Sequence, residues 1–331
     1  MALHFQIPDF LSRCPFELRI SPHCRQASNT SDAWLCRGAN LSAEDARAVV
    51  GTKAGLLSAM CYPTVDSAQF RVCCDFVNLF FYFNVLLEDA DVQGVAELAD
   101  IVLNTIHHPQ YISDSYVATL VRDLWTRLQK TCPSSVQRRL AASIEEMFQA
   151  FEQQVYNRLT NTYPDLESFI SLRRETSACA PGFLLMEYAH SMRLPRDVIH
   201  HPILVHLTQL AVDLVSWSND ILSYNYDQAR GSPHNIIAVV MLTKCLDIQH
   251  AINYVASLYR STLDLFLHQL QGIPRWGGKI DADVETYVRG LQDWIIGSQQ
   301  WCFETERYFG DDGDRVRNRR RVKLDVPQAF A

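Results

Sequence analysis

The sequence predicts an all-α protein built as one domain. Three observations carry this: long stretches with apolar residues at helical spacing, no alternating strand pattern, and no linker or internal repeat dividing the 331 residues. Hydrophobic residues make up 48% of the chain and charged residues 20%, so a sizeable core can be buried. The domain is expected over 1–310. Beyond it, Asp311-Asp-Gly-Asp and a run of Arg315, Arg317, Arg319, Arg320, Arg321 and Lys323 read as a solvated or disordered tail over 311–331.

The first 40 residues carry Pro8, Pro15 and Pro22 among Asn and Ser, and predict an irregular lead-in, strand-like or coil. Helical patterning begins at Ser42, an N-cap with Glu44 and Asp45 in the first turn. Helices are then expected over 66–88, 93–106, 114–130, 134–160, 165–177, 181–191, 202–228, 232–244, 246–271 and 281–308. The breaks fall at His108-Pro109, Cys132-Pro133, Tyr163-Pro164, Leu194-Pro195 and Ile273-Pro274. Several of these helices are apolar nearly all round, as helices inside a large bundle are.

A net charge of -7 argues against a nucleic-acid binder, which needs a basic face. The longest nearly unbroken apolar run, Val77 to Leu87, has 11 residues where a membrane span takes about 20, so no span is expected. The opening residues lack the basic and apolar regions of a secretory leader. Ten cysteines are scattered from Cys14 to Cys302 without a CxxC pair, as buried thiols in a reducing cytosol would be. A cytoplasmic location is expected, and the sequons at Asn29 and Asn40 then read as chance matches.

The strongest chemical signal is Asn219-Asp220-Ile221-Leu222-Ser223-Tyr224-Asn225-Tyr226-Asp227. Asn219, Ser223 and Asp227 recur at i, i+4 and i+8, which stacks them on one helix face within about 80° of arc. An amide, a hydroxyl and a carboxylate are hard oxygen donors suited to magnesium. A polar stripe on so apolar a helix is costly unless it binds something; the plain alternative is a wet face near a helix end. A second stripe, Asn84, Glu88 and Asp91, interrupts the most apolar helix and shares a face if the helix runs that far. Its alternative is an ordinary helix end meeting solvent. Leu172-Arg173-Arg174-Glu175-Thr176 and Trp301-Cys302-Phe303-Glu304-Thr305-Glu306-Arg307-Tyr308 each offer a cation that could bind phosphate bidentately or simply close a salt bridge.

In this order and spacing the four pieces resemble the class I terpene synthases, most closely the sesquiterpene synthases of mushroom-forming fungi. Asn219-Asp220-x-x-Ser223-x-x-x-Asp227 is similar to that family's NSE/DTE magnesium motif, with Asp where Glu is usual. Arg173 precedes Asn219 by 46 positions (219 − 173), the family's spacing for its diphosphate-sensing arginine. Arg307-Tyr308 resembles the C-terminal Arg-Tyr pair, and Cys74-Asp75-Phe76-Val77-Asn78-Leu79-Phe80-Phe81 the lead-in to the aspartate-rich motif. The likeness runs from roughly residue 5 to residue 310. One departure stands out. In register with that lead-in, the aspartate-rich motif becomes Asn84-Val85-Leu86-Leu87-Glu88, an amide where the family has a bridging carboxylate. Sliding to Glu88-Asp89-Ala90-Asp91-Val92 restores two acids but breaks the lead-in, so the first register is preferred.

The resemblance implies a helical bundle around a central active-site cavity and ionisation of a prenyl diphosphate, farnesyl diphosphate above all, to a carbocation. It implies three magnesium ions held by Asn219, Ser223 and Asp227 on one wall and by Asn84 and Glu88 on the other, the latter side weakened. Arg173, Arg307 and Tyr308 would grip the diphosphate. Phe81 and Trp301 would line the hydrocarbon cavity, with core packing as their plain alternative. Thr176 and Ser177 would sit where the family couples its arginine sensor to a helix break. The family's default assembly is a homodimer; for the basic tail of this chain, read above as solvated or disordered, the alternative is a lid that orders over bound diphosphate. The rivals are a chain-elongating prenyltransferase, which needs a second aspartate-rich motif this chain lacks, and a catalytically silent relative, which Asn84 supports. A zinc site on His200, His201 and His206 is disfavoured because adjacent histidines leave a helix on different faces.

Overall fold

Short polar side chains set the helix starts. Ser42 accepts from the Asp45 amide to open α2 (Ala43–Thr52), as its sequence context predicts, after a first helix α1 (Cys24–Gly38). The computed structural model describes residues 3–325. α3 (Ala54–Cys61) and α4 (Ser67–Glu88) follow, and Asp91 caps α5 (Val92–His107) through the Gly94 amide at 2.8 Å. Then come α6 (Tyr116–Gln129), α7 (Ser134–Leu159), α8 (Leu166–Thr176), α9 (Cys179–Ala189), α10 (Arg196–Ile199) and α11 (Pro202–Ala229). The series ends with α12 (Ile236–Thr243), α13 (Ile248–Leu270), α14 (Gly278–Glu304), α15 (Glu306–Phe309) and α16 (Gly313–Arg319). The only strands among the described residues, β1 (His4–Gln6) and β2 (Arg321–Lys323), form an antiparallel pair.

α4 and α11 are the central helices. α4 packs on α1, α3, α6 and α9, and α11 on α13 and α14, so both are buried over most of their length. α4 is long and apolar enough to cross a membrane by length and composition, and 67% of its most apolar window is buried inside the protein. Its polar residues are matched: Asp75 accepts from Arg71 at 2.9 Å and lies 2.7 Å from Arg127, and Asn78 donates to Asp32 of α1 at 2.9 Å.

Four expectations are corrected. Cys24–Gly38, inside the expected irregular lead-in, is helical; its buried stripe of Ala27, Ser31 and Leu35 keeps helical spacing but consists mostly of small residues, a weak apolar signal. The expected 281–308 helix breaks at Thr305, whose extended backbone leaves its hydroxyl accepting from the Arg307 amide at 3.2 Å. α4 stops at Glu88, so Asp91 caps the next helix and does not extend the Asn84 and Glu88 face. The expected disordered tail instead forms α16 and β2 as far as it is described, because Val316 and Val322 are buried and Arg320 pairs with Asp9 at 2.5 Å. Residues 326–331 of that tail lie outside the described residues.

Candidate active site

α4, the end of α7, the α8–α9 junction, α11, α14 and α15 enclose a cavity of about 990 Å³. Twelve residues singled out from the sequence line it, Asn84, Glu88, Phe81, Arg173, Thr176, Ser177, Asn219, Ser223, Asp227, Trp301, Arg307 and Tyr308, whereas Asp91 does not. Residues of five helices, α4, α8, α11, α14 and α15, thus converge on one space.

The α11 wall follows from its period. Asn219, Ser223 and Asp227 face the cavity on successive turns, and the Ser223 hydroxyl donates to Asp227 Oδ2 at 2.7 Å. Asn235, at the start of α12, donates to the same oxygen at 2.9 Å. Burial pushes the Asp227 carboxyl up to about 6, against those hydrogen bonds, with Asp220 nearby adding to the rise. A half-buried carboxylate beside a hydroxyl and an amide oxygen is a donor set that a hard divalent cation would satisfy, and its charge would offset the desolvation. The α11 wall therefore fits a metal.

Asp220 has a different task. Its Oδ1 accepts from Arg173 Nε at 2.9 Å and from an Arg173 terminal nitrogen at 2.8 Å, and its Oδ2 accepts from the Ile236 amide at 3.0 Å. Arg173 also donates to Asn219 Oδ1 at 3.3 Å. Arg173 is thus tied directly to α11. Arg173 lies in the last turn of α8, which ends at Thr176; Ala178 then adopts φ 57°, a left-handed conformation unfavourable for a residue with a Cβ, before α9 begins. The Thr176 hydroxyl lies 2.8 Å from His234 Nε2. Burial, with Arg173 close by, pulls that imidazole down to about 3, so it stays neutral.

The opposite wall is the end of α4. Asn84 is a neutral amide, and Glu88 accepts from Arg307 at 2.8 Å and from the Tyr226 hydroxyl at 3.3 Å. Asp89 also lines the cavity and is exposed. Of the two carboxylates on this wall, Glu88 is engaged by a cation and Asp89 is exposed. The break at Thr305 turns Arg307 and Tyr308 toward it, and Tyr308 accepts from the Asn219 side-chain amide at 3.0 Å. Aromatic faces line the deeper space: Phe81 and Trp301 have ring centroids 5.1 Å apart, and Trp301 lies 5.7 Å from Tyr308. The Trp301 indole is fixed by donating to the backbone oxygens of Thr52 and Lys53 at 3.0 and 3.1 Å.

Sequence reasoning missed several lining residues. Arg158 of α7 donates to the backbone oxygens of Glu88 and Ala90 and so holds the α4–α5 turn. Arg230 stacks over the Tyr226 ring at 3.6 Å, and Arg307 over the same ring at 4.7 Å. Tyr226 lies inside the donor motif, so its place was readable there. Arg158 and His234 belong to segments with no local pattern.

Four guanidinium groups and an oxygen-lined wall at one end, with aromatic rings at the other, define a helical-bundle site shaped for a molecule with a polyanionic head and a hydrocarbon tail. Comparison with known proteins gives this class its name. Residues 75–264 match the family model "Terpene synthase family 2, C-terminal metal binding". Sesquiterpene synthase 3 of Postia placenta is 42% identical over 96% of this chain and 88% of its own, and sesquiterpene synthase Agr1 of Cyclocybe aegerita is 42% identical over 96% and 92%. Among solved structures, the SVS_A2 protein from ancestral sequence reconstruction superposes with a TM-score of 0.82 at 22% identity, covering 89% of this chain and 90% of that one, a likeness of fold. The chain belongs to the terpene synthase family, among the fungal sesquiterpene synthases, and is a lyase of that class.

Proposed function

We propose that this protein ionises farnesyl diphosphate with magnesium bound and releases diphosphate and a sesquiterpene. The observation that carries the reading is the convergence of Asn219, Ser223 and Asp227 with Arg173, Arg307 and the Asn84–Glu88 wall around one aromatic-lined cavity. Its volume of about 990 Å³ lies at the top of the usual range for ligand sites, about 300–1,000 Å³, with room for a fifteen-carbon chain. Asn219, Ser223 and Asp227 would hold magnesium most firmly, with Glu88 and Asn84 opposite. Bound magnesium supplies positive charge that stabilises the leaving diphosphate.

The residues of the chain do the rest. Arg173, kept charged and oriented by Asp220, and Arg307, held over Tyr226, donate to phosphate oxygens as charge builds on them. Glu88 must release Arg307 for this, so substrate binding exchanges one ion pair for another. Tyr308 adds a hydroxyl beside Asn219. Phe81 and Trp301 present π faces to the migrating cation, each worth up to about 2 kcal/mol when desolvated. Thr176 and Ser177 flank the α8–α9 break and line the cavity. The ten unpaired cysteines accord with the cytosolic location we infer.

A second reading, a relative that binds prenyl diphosphate without turning it over, draws on the neutral Asn84 and the engaged Glu88. Incubation with farnesyl diphosphate and magnesium, followed by hydrocarbon analysis and diphosphate release, separates the two. Sesquiterpene formation supports the first. No turnover of geranyl, farnesyl or geranylgeranyl diphosphate, with diphosphate still bound, supports the second.

A further inference from the structure

β1 and β2 come from opposite ends of the described chain and pair with His4 opposite Lys323, Phe5 opposite Val322 and Gln6 opposite Arg321. A two-stranded ribbon of three residues a side has little stability of its own, so its significance lies in where it docks. It docks on α11. The Phe5 ring meets the Tyr224 ring edge-on at 6.0 Å. Just beyond β2, Asp325 and Asn225 exchange two hydrogen bonds: the Asn225 side-chain nitrogen donates to Asp325 Oδ2 at 2.7 Å, and the Asp325 backbone N–H donates to Asn225 Oδ1 at 2.9 Å. Gln228 adds a third, from its side-chain nitrogen to the Asp325 backbone oxygen at 3.0 Å.

These contacts interleave with the donor stripe. Asn225 lies between Ser223 and Asp227 in sequence but about 200° round the helix from Ser223, on the face away from the cavity. It is buried, so both halves of its amide need partners, and Asp325 satisfies both. α11 ends at Ala229, which puts Asp227 in its last turn, where helices fray and carbonyls lack partners. The Ser223–Asp227 pairing at 2.7 Å exists only while that turn stays helical.

We propose that Asp325 is a positioning residue for the metal-donor face of α11, acting through Asn225 from behind the helix. The clasp of β1, β2 and Asp325 holds the last turn so that Asp227 stays in register with Ser223 and Asn219. This rests on the metal-dependent reading of the cavity and deepens it.

The test is a calorimetric titration of magnesium into the full-length protein with inorganic diphosphate present, beside the thermal midpoint measured without metal. Asp325→Ala weakens apparent magnesium affinity by about fivefold, the low end of coupling between linked sites. Asp325→Asn, which keeps a side-chain acceptor for Asn225, stays within about twofold of the parent. Gln228→Ala, which removes the third bond together with the Gln228 donations to Asn225 Oδ1 and its backbone oxygen at 3.3 and 3.2 Å, shifts affinity the same way and serves if Asp325→Ala does not fold. A parent that binds magnesium and diphosphate while both alanine variants bind equally well overturns the inference alone. So does a lowered midpoint with unchanged magnesium affinity, which is the mark of a merely structural role. A parent that takes up neither overturns the metal-site reading and the inference with it.

Discussion

Asn84 is where a single atom type bears most on metal binding. An amide at this position leaves the α4 wall one negative charge short, and Glu88, one turn on, is held by Arg307 and Tyr226. Asn84→Asp should therefore lower the magnesium concentration for half-maximal turnover by about tenfold, since a full charge close to a divalent ion is worth more than 1 kcal/mol. An unchanged requirement would remove Asn84 from the metal wall. Asp227→Ala should abolish turnover, measured as diphosphate release, because it deletes the only carboxylate of the α11 stripe. His234 sets a pH dependence of its own. The unfolded chain takes up its imidazole proton near the ordinary value of 6.5, whereas the folded chain resists down to about 3. Between those values the unfolded state binds more protons, so the stability this neutral histidine permits is present above 6.5 and lost on acidification toward 3. His234→Gln, which can still bond Thr176, should melt closer to the parent, or above it, at pH 4 than at pH 7. A difference independent of pH would refute this.

At the scale of elements, the site depends on where helices stop. Thr305 breaks a helix that the sequence alone continues to 308, and only that break directs Arg307 and Tyr308 into the cavity. The α8–α9 break was legible, since Thr176-Ser-Ala-Cys-Ala-Pro is a poor helix interior; that Ala178 carries it at φ 57° was not. Close approach of α9 and α14 forms the cavity floor. A Cβ added to Gly182 would fall 2.8 and 2.9 Å from ring atoms of Trp294, a rigid side chain wedged against Tyr62 and Phe183. Gly182→Ala should cost about 1–3 kcal/mol of stability by overpacking. It should also change the ratio of hydrocarbon products, because Trp294 lines the cavity. A thermal melt and product chromatography check the two parts separately, and an unaltered product ratio would place Trp294 outside the surface that shapes the cation.

Taken whole, the molecule is a bundle closed over charge. Its cavity brings together four arginines and the Asn219, Ser223, Asp227 and Glu88 oxygens, so guanidinium groups and oxygen donors line one space that suits a ligand carrying both signs of charge. Magnesium and inorganic diphosphate together should raise the thermal midpoint, by an amount equivalent to about 2.7 kcal/mol at a hundredfold excess over Kd. Either alone should do much less, because diphosphate without metal must face Asp227 and Glu88, and metal without diphosphate must face the arginines. Equal stabilisation by magnesium alone would show that the two do not bind as a unit.

The stripe of Asn219, Ser223 and Asp227 and the all-helical class were readable in the sequence because each depends on helical period, whereas Arg173 and Arg307-Tyr308 stood out through their resemblance to family motifs. Period 3.6 puts Asn219, Ser223 and Asp227 on one face whatever surrounds them. What only the tertiary structure decided is pairing across distance. Asp220 serves Arg173, Glu88 is held by Arg307, Arg158 braces the α4–α5 turn, and a segment that reads as a solvated tail docks behind the donor helix. These contacts join residues tens to hundreds of positions apart, each worth little in isolation and formed only once burial by the rest of the bundle has excluded water. Local sequence carries no trace of a partner that packing alone selects.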